Sequence, residues 1–266
     1  MSRIVTNTNA NTVYKNYSRN QDALSSSMER LSTGLRINRA SDDPAGLAIS
    51  ETLRSQVKGT DATVDVIANA SNYLNTADGY LQTAHDMLGR MTELAVKMDD
   101  ATLTTTDKGN IVSEFNALKG EIDNVFSASK FNGGAIFGAS KTLIADANGA
   151  EFTISSNALA TLATTAIATI AATSSATTAL SQVSAAIGTI STQRAAIGAA
   201  QSQLNYKSSA LQNYSENVSA AESRIRNADM AKESSMFARN QILVQASTAM
   251  LSQANSASQN VLSLLR

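Results

Sequence analysis

The chain has 266 residues, a formal charge of -1 from 21 Lys+Arg against 22 Asp+Glu, one histidine, one proline, and neither cysteine nor tryptophan. Near-zero charge is no footprint for nucleic acid, the lack of cysteine removes disulfides and thiolate chemistry, and a single histidine leaves no His-pair zinc site. At 43% hydrophobic but only 5% aromatic and 16% charged, against roughly 25% charged in ordinary soluble domains, the composition predicts long helices rich in Ala, Ser, Thr, Asn and Gln, with few corners that need proline.

The first residues, Met1 to Asn9, lack the apolar stretch of a secretory signal peptide, and no run of about 18 apolar residues predicts a membrane span. Ala10, Tyr17, Leu24 and Leu31 then recur every seven residues, with Tyr14 and Met28 beside them. That stripe predicts an amphipathic helix too narrow to stand alone. Arg36, Asn38, Arg39, Asp42 and Asp43 crowd the following turn. Capping and solvated charge account for them; salt bridges between copies that set register are the alternative.

Asp43 as N-cap and Pro44 at the first helical position mark the start of the longest predicted helix, which runs to about Asp99. At 1.5 Å per residue it is roughly 80 Å long. Leu53, Ile67, Leu74, Leu81 and Leu88 share one heptad phase, interrupted by Thr60, and Ala70, Ala77, Ala84, Met91 and Met98 form the adjacent row. The lone His85 falls outside these rows and reads as a packing residue, with no second His or Cys to support catalysis. A third helix is predicted with Thr106/Asp107 as its cap and Ile111, Phe115, Leu118 and Ile122 as its apolar face.

From Phe131 to Gly138 the chain becomes a glycine-rich turn region, and it lacks the Lys-Ser/Thr spacing of a phosphate loop. Thr142–Ala145 and Glu151–Ile154 flank Asp146-Ala147-Asn148-Gly149, which predicts a hairpin around Asn-Gly. No charge occurs from Phe152 to Gln193, and residues 157–178 read as low-complexity linker. Val183, Ile190, Ile197, Leu204, Leu211, Val218 and Ile225 then form an unbroken heptad row on a helix predicted from about 176 to 228. A second row starts with Leu180 and Ile187 and turns polar at Arg194, Gln201, Ser208, Ser215 and Glu222, so the seam is no simple zipper. Phe237, Val244, Leu251 and Leu265 lie on a last seven-residue grid, flanked by Leu243, Met250 and Leu264, with no charge from Asn240 to Leu265. That apolar face is wide for one partner, which points to contact with other copies or another protein.

Leu31-Ser32-Thr33-Gly34-Leu35-Arg36-Ile37-Asn38-Arg39-Ala40-Ser41-Asp42-Asp43-Pro44-Ala45-Gly46-Leu47-Ala48-Ile49 resembles the signature of bacterial flagellins. Ser223-Arg224-Ile225-Arg226-Asn227-Ala228-Asp229-Met230-Ala231, Gln241-Ile242-Leu243-Val244-Gln245-Ala246 and the terminal Asn260-Val261-Leu262-Ser263-Leu264-Leu265-Arg266 are similar to later flagellin blocks. The resemblance covers roughly 1–135 and 180–266. It implies a mainly α fold: an elongated antiparallel helical bundle and coiled coil with a small β-hairpin region, near-minimal and without large outer domains. Residues 1–43 plus 229–266 are then the terminal coiled-coil inner-core domain. Residues 44–156 plus 176–228 are the helical bundle, with the hairpin at about 129–156, and 157–175 is a variable low-complexity segment.

The implied function is that of a non-enzymatic subunit polymerising into the flagellar filament for motility, without cofactor or metal, extracellular and exported without a cleaved signal peptide. Leu24, Met28, Leu31, Val244, Leu251, Val261, Leu264 and Leu265 are the expected polymerisation core, and Arg36, Asn38, Asp42 and Asp43 the signature turn. Implied partners are other copies of the chain, an export chaperone on the C-terminal helix, the export apparatus, and filament cap and hook-junction proteins. Arg90, Glu93, Leu94 and Glu114 are similar to the flagellin site for the vertebrate Toll-like receptor; they also suit packing between subunits. A hook–filament junction adaptor and a secreted helical ligand acting as a monomer remain alternatives.

Overall fold

The computed structural model describes residues 7–137, 141–144, 151–154 and 176–264; side chains are not described at 141, 143–144, 151–154 and 257–264. The Asp146–Gly149 turn, the 157–175 segment and Leu265 lie outside the described residues.

Helix starts and stops follow from local chemistry. The first helix, α1 (Thr8–Thr33), begins where the Asn7 side chain accepts from the Ala10 N–H at 3.0 Å. It ends at Gly34, whose φ of 71° lets its N–H reach the Arg30 carbonyl at 2.9 Å. Helix α2 (Pro44–Met98) starts at the predicted proline, with Asp43 Oδ1 accepting from the Gly46 N–H at 2.9 Å. Helix α3 (Thr105–Ala128) is capped by Thr104 rather than by Thr106 or Asp107. Thr104 accepts from the Asp107 N–H while Asp107 accepts from the Thr104 N–H, so Asp107 is the third helical residue of a capping box.

After α3 the chain makes two small antiparallel hairpins. Strands β1 (Lys130–Phe131) and β2 (Gly134–Ala135) join through Asn132 and Gly133, whose φ values of 49° and 78° suit a mirror-image two-residue turn. The glycine-rich region is thus a hairpin in its own right. Strands β3 (Lys141–Ile144) and β4 (Glu151–Ile154) pair with Lys141 opposite Ile154 and Ile144 opposite Glu151. This is the predicted hairpin, its first strand one residue earlier.

Helix α4 (Ala176–Arg226) ends two residues before the predicted 228. The Arg36 N–H takes the Arg226 carbonyl at 2.6 Å, and Asn227 leaves the helix to bridge Leu35. Helix α5 (Met230–Leu264) starts at once, with Asp229 Oδ1 accepting from the N–H groups of Ala231 and Lys232.

The chain divides into two compact units, Met1–Ser55 with Asn217–Arg266, and Gln56–Glu216. The second unit holds the main core. Leu74, Leu81 and Leu88 from α2, Phe115 and Ile122 from α3, and Val183, Ile190 and Ile197 from α4 are buried together, as are Ala70, Ala77, Ala84 and Met91. Thr60, which interrupts the heptad, is buried but satisfied: its hydroxyl donates to the Gln56 carbonyl at 2.8 Å. The polar row of α4 turns toward α2. Arg194 pairs with Asp78 at 2.8 Å, Gln201 Nε2 donates to Asn75 at 2.8 Å, and the Ser215 hydroxyl donates to Asp61 at 3.0 Å. Partner numbers fall as α4 numbers rise, so the two helices run antiparallel. Tyr73 anchors the first hairpin: its hydroxyl donates to the Ile136 carbonyl at 2.9 Å, its ring meets Phe131 edge-on at 5.5 Å, and burial pushes the phenol pKa up.

Candidate functional site

In the first unit α1 and α5 pair antiparallel, with Cα atoms repeatedly within 8 Å. Each helix turns two heptad rows inward. One row is apolar: Ala10, Tyr17, Leu24 and Leu31 on α1, and Phe237, Val244 and Leu251 on α5, all half-buried. The other row is small and polar. Asn20 Nδ2 donates to Ser247 Oγ at 3.0 Å, and one heptad further Asn240 Nδ2 donates to Ser27 Oγ at 3.5 Å. Off this row, at the start of α1, Asn7 Nδ2 donates to the Ala254 carbonyl at 3.0 Å.

Outside that seam the pair leaves large apolar side chains in water. Ile242 is 65% exposed, Tyr14 59%, Met250 58% and Met28 55%. Met236, Leu243 and Met250, all exposed, recur every seven residues on α5, a second apolar row beside the one facing α1. Leu24, Leu31, Val244 and Leu251 therefore sit in the seam, whereas Met28 points away from it. The side chains of Val261 and Leu264, like Leu265, lie outside the described residues.

The turn between α1 and α2 is tied by its own residues. Asp42 Oδ2 accepts from the N–H groups of Asn38 and Arg39, each at 3.0 Å, and these two bonds hold its carboxyl below the ordinary value. Asn38 Nδ2 donates to Thr33 Oγ1 and to the Leu35 carbonyl. Arg36 donates from Nη2 to the Ile225 carbonyl at 2.7 Å, and Asp43 caps α2. At the start of α5, Glu233 is buried; Oε2 lies 3.9 Å from Arg30 Nη1, and Oε1 has no hydrogen-bond partner among the described residues.

On the second unit Arg90 bridges two helices, pairing with Glu93 at 2.7 Å and with Glu114 of α3 at 2.9 Å. Hydrogen bonds to Glu93 first and Glu114 second raise the Arg90 pKa. All three side chains are exposed, whereas Leu94 is 2% exposed and belongs to the core beneath them. His85 is half-buried, and its Nδ1 has no partner among the described residues. No group of three His, Asp or Glu side chains among the described residues is placed to hold a metal ion. No helix there is long and apolar enough to cross a membrane. The apolar stripes did not reveal the polar row of the α1/α5 seam; its one signal was Asn or Ser three residues after Tyr17, Leu24, Phe237 and Val244.

Comparisons with known proteins bear on the same elements. The family model for the bacterial flagellin N-terminal helical region matches residues 4–142, and that for the bacterial flagellin C-terminal helical region matches residues 180–265. The flagellar filament 33 kDa core protein of Treponema phagedenis is 36% identical over 260 residues, covering 90% of this chain and 91% of its own length. Flagellin of Bacillus subtilis (strain 168) is 38% identical over 288 residues, covering 94% of this chain and 95% of its own. A crystal structure of Bacillus cereus flagellin, 26% identical, covers 55% of this chain and 86% of that one with a TM-score of 0.48.

Proposed function

Because the chain belongs to the bacterial flagellin family, and is thus a structural filament subunit rather than an enzyme, we propose that its terminal helix pair is the element that polymerises. It forms a homopolymer, the flagellar filament, and that filament is where it resides. Residues 1–43 with 229–266 act as the inner-core domain and 44–156 with 176–228 as the helical bundle domain. The exposed row Met236, Leu243 and Met250 carries the reading, because it is apolar surface that folding of a single copy does not bury.

Leu24, Leu31, Val244 and Leu251 hold the seam closed, while the exposed Met28 adds to the surface that neighbouring copies cover; Val261, Leu264 and Leu265 belong to the same polymerisation core. Burying a large aliphatic side chain contributes about 1.5–3 kcal/mol, and ordering each residue costs about 1–2 kcal/mol of backbone entropy. The narrow pair is therefore marginal alone, and folding and assembly become one step when neighbours complete the stripes. Repeated contacts whose rotation does not close generate a helical filament. Arg36, Asn38, Asp42 and Asp43 serve this by fixing the turn that leads from α1 into α2.

The same marginal pairing suits export as an unfolded chain, through the flagellar export apparatus. The apolar face of α5 is a physical reason for an export chaperone to cover it in the cytoplasm, and for cap and hook-junction proteins to meet it at the filament ends. The exposed Arg90, Glu93 and Glu114 are the surface offered to a Toll-like receptor, with Leu94 supporting them from below. A cell reporter that stays silent with purified chain would remove that partner.

Deleting residues 237–266 tests the assembly reading. Electron microscopy is expected to find long filaments with the full chain and none with the truncated one, whose 56–216 unit keeps its helical circular dichroism. Normal filaments from the truncated chain would overturn it.

A further inference from the structure

The apolar row of the α1/α5 seam does not specify one register. Sliding α5 by one heptad places Leu24 opposite Phe237, Tyr17 opposite Val244 and Leu31 opposite Met230; sliding it the other way places Leu24 opposite Leu251 and Leu31 opposite Val244. The first slide loses no apolar pair, so the hydrophobic term does not exclude it; the second carries Phe237 past the end of α1 but keeps Leu24 and Leu31 on apolar partners. The polar row behaves differently. In the observed register Asn20 meets Ser247 at 3.0 Å and Ser27 meets Asn240 at 3.5 Å, the long amide and short hydroxyl exchanging sides one heptad apart. One slide sets Asn20 opposite Asn240, Ser247 opposite Val13 and Ser27 opposite Glu233. The other sets Asn20 opposite Ala254, Asn240 opposite Gly34, beyond the end of α1, and Ser27 opposite Ser247, so both amides lose their hydroxyl partners.

We propose that Asn20, Ser27, Asn240 and Ser247 are the register determinants of the terminal coiled coil: two reciprocal Asn–Ser pairs that form in one alignment of α1 and α5 and in neither neighbouring one. A buried polar residue at a heptad position stabilises less than an aliphatic one yet selects the alignment that pairs it. The close backbones sharpen the selection. Two Asn side chains facing each other where Cα atoms lie within 8 Å are crowded, and an Asn facing Ala is left with an unpaired amide. A shift of one heptad moves α5 by about 10 Å along its axis, which would displace every exposed apolar side chain of its outer row. Register inside one chain thus fixes where the surface for the next copy falls.

The native chain contains no cysteine, so introduced pairs report register cleanly. Filaments are formed from full chains carrying Leu24→Cys with Val244→Cys for the observed alignment, or Leu24→Cys with Phe237→Cys or with Leu251→Cys for the shifted ones. After oxidation, the intrachain disulfide yields are compared. A heptad slip exceeds disulfide reach. With the Asn–Ser pairs intact, the observed pair is expected to exceed either shifted pair by about tenfold, the bias that two net hydrogen bonds set. Asn20→Leu with Asn240→Leu keeps side-chain size and removes the pairs; the bias is expected to collapse while the filament Tm holds or rises. A purely structural role lowers Tm and leaves the bias.

The exchange Asn20→Ser with Ser247→Asn is expected to keep the observed register, whereas Asn20→Ser alone, with its shorter reach, loses it. An unchanged bias in the Leu variant overturns the proposal. If that variant does not assemble, an identical register in Asn20→Ser and in the exchange overturns it equally. The inference rests on the assembly reading only for where register is measured: micrographs of the cysteine-bearing parent report filament formation separately.

Discussion

Asp43 and Gly46 are matched to each other at the start of α2. Asp43 Oδ1 accepts from the Gly46 N–H at 2.9 Å, and the Asp43 carboxylate fills the space that a Cβ on Gly46 would occupy, with Ile37 Cδ1 2.9 Å from that point. Alanine is the better helix former by about 1 kcal/mol, yet Gly46→Ala is expected to destabilise the first unit by about 1–3 kcal/mol through overpacking. Asp43→Ala alone removes a cap and costs about 1 kcal/mol. The double variant should cost less than the two losses together, because removing the carboxylate makes room for the methyl. Urea denaturation of the four chains checks this; additive losses would mean that the two residues do not share that space.

Asp42 sets an acid dependence whose direction follows from its shift. Its carboxyl is held below 3.8 by the Arg39 and Asn38 N–H groups, with Arg30 and Arg39 charges adding less. The folded pKa is depressed, so the turn is fully supported above the ordinary carboxylate range and loses that support as pH falls through the folded pKa. Titration of Asp42 by NMR is expected to find a midpoint under 3.8, and Asp42→Asn to remove the acid-dependent change in the Asn38 and Arg39 amide signals. A midpoint at or above the ordinary value would dissociate the carboxylate from those amides.

Core and outer positions should respond to truncation with losses of very different size. Leu81 is fully buried in the second unit, and Leu81→Ala is expected to cost 2–5 kcal/mol, a range typical of about one leucine-sized cavity. Ile242→Ala, at a side chain 65% exposed, is expected to change the unfolding free energy of the unassembled chain by no more than about 0.5 kcal/mol. Thermal unfolding of the two variants before assembly gives both values.

Arg194 and Asp78 form a two-contact ion pair at 2.8 and 3.3 Å with both side chains about one-third exposed. Solvent screening limits such a pair, so a double-mutant cycle of Arg194→Ala and Asp78→Ala is expected to return a coupling of about 0.5–1 kcal/mol that shrinks at high salt. A coupling several times larger that ignores salt would show the pair to be effectively buried.

Heptad arithmetic made most of this fold legible. The rows through Ala70, Ala77 and Ala84 and through Val183, Ile190 and Ile197 are buried as their spacing demands, because a strict repeat forces one helix face onto a neighbour. Four other features were hidden for identifiable reasons. Thr104, Thr105 and Thr106 are equally able to cap a helix, and only the three-residue step from Thr104 to Asp107 selects the first. The β1–β2 hairpin has two-residue strands, too short for an alternating pattern, though Asn132-Gly133 is a strong turn signal. Asn20, Ser27, Asn240 and Ser247 are residue types usual on surfaces, so only their shared heptad position connects them. Met28 shares the stripe of Leu24 and Leu31 in sequence, but a step of four from Leu24 carries it to the flank of the seam.

The central claim is that apolar surface left open on α5 is the surface that joins copies. Ile242→Gln, Leu243→Gln and Met250→Gln, made together in the full chain, remove that surface while keeping a good helix former at each position. Electron microscopy after seeding with native filament fragments is the direct measurement. The predicted result is an absence of elongation, with the far-ultraviolet circular dichroism and Tm of the unassembled chain unchanged. Elongation at the native rate would contradict the claim.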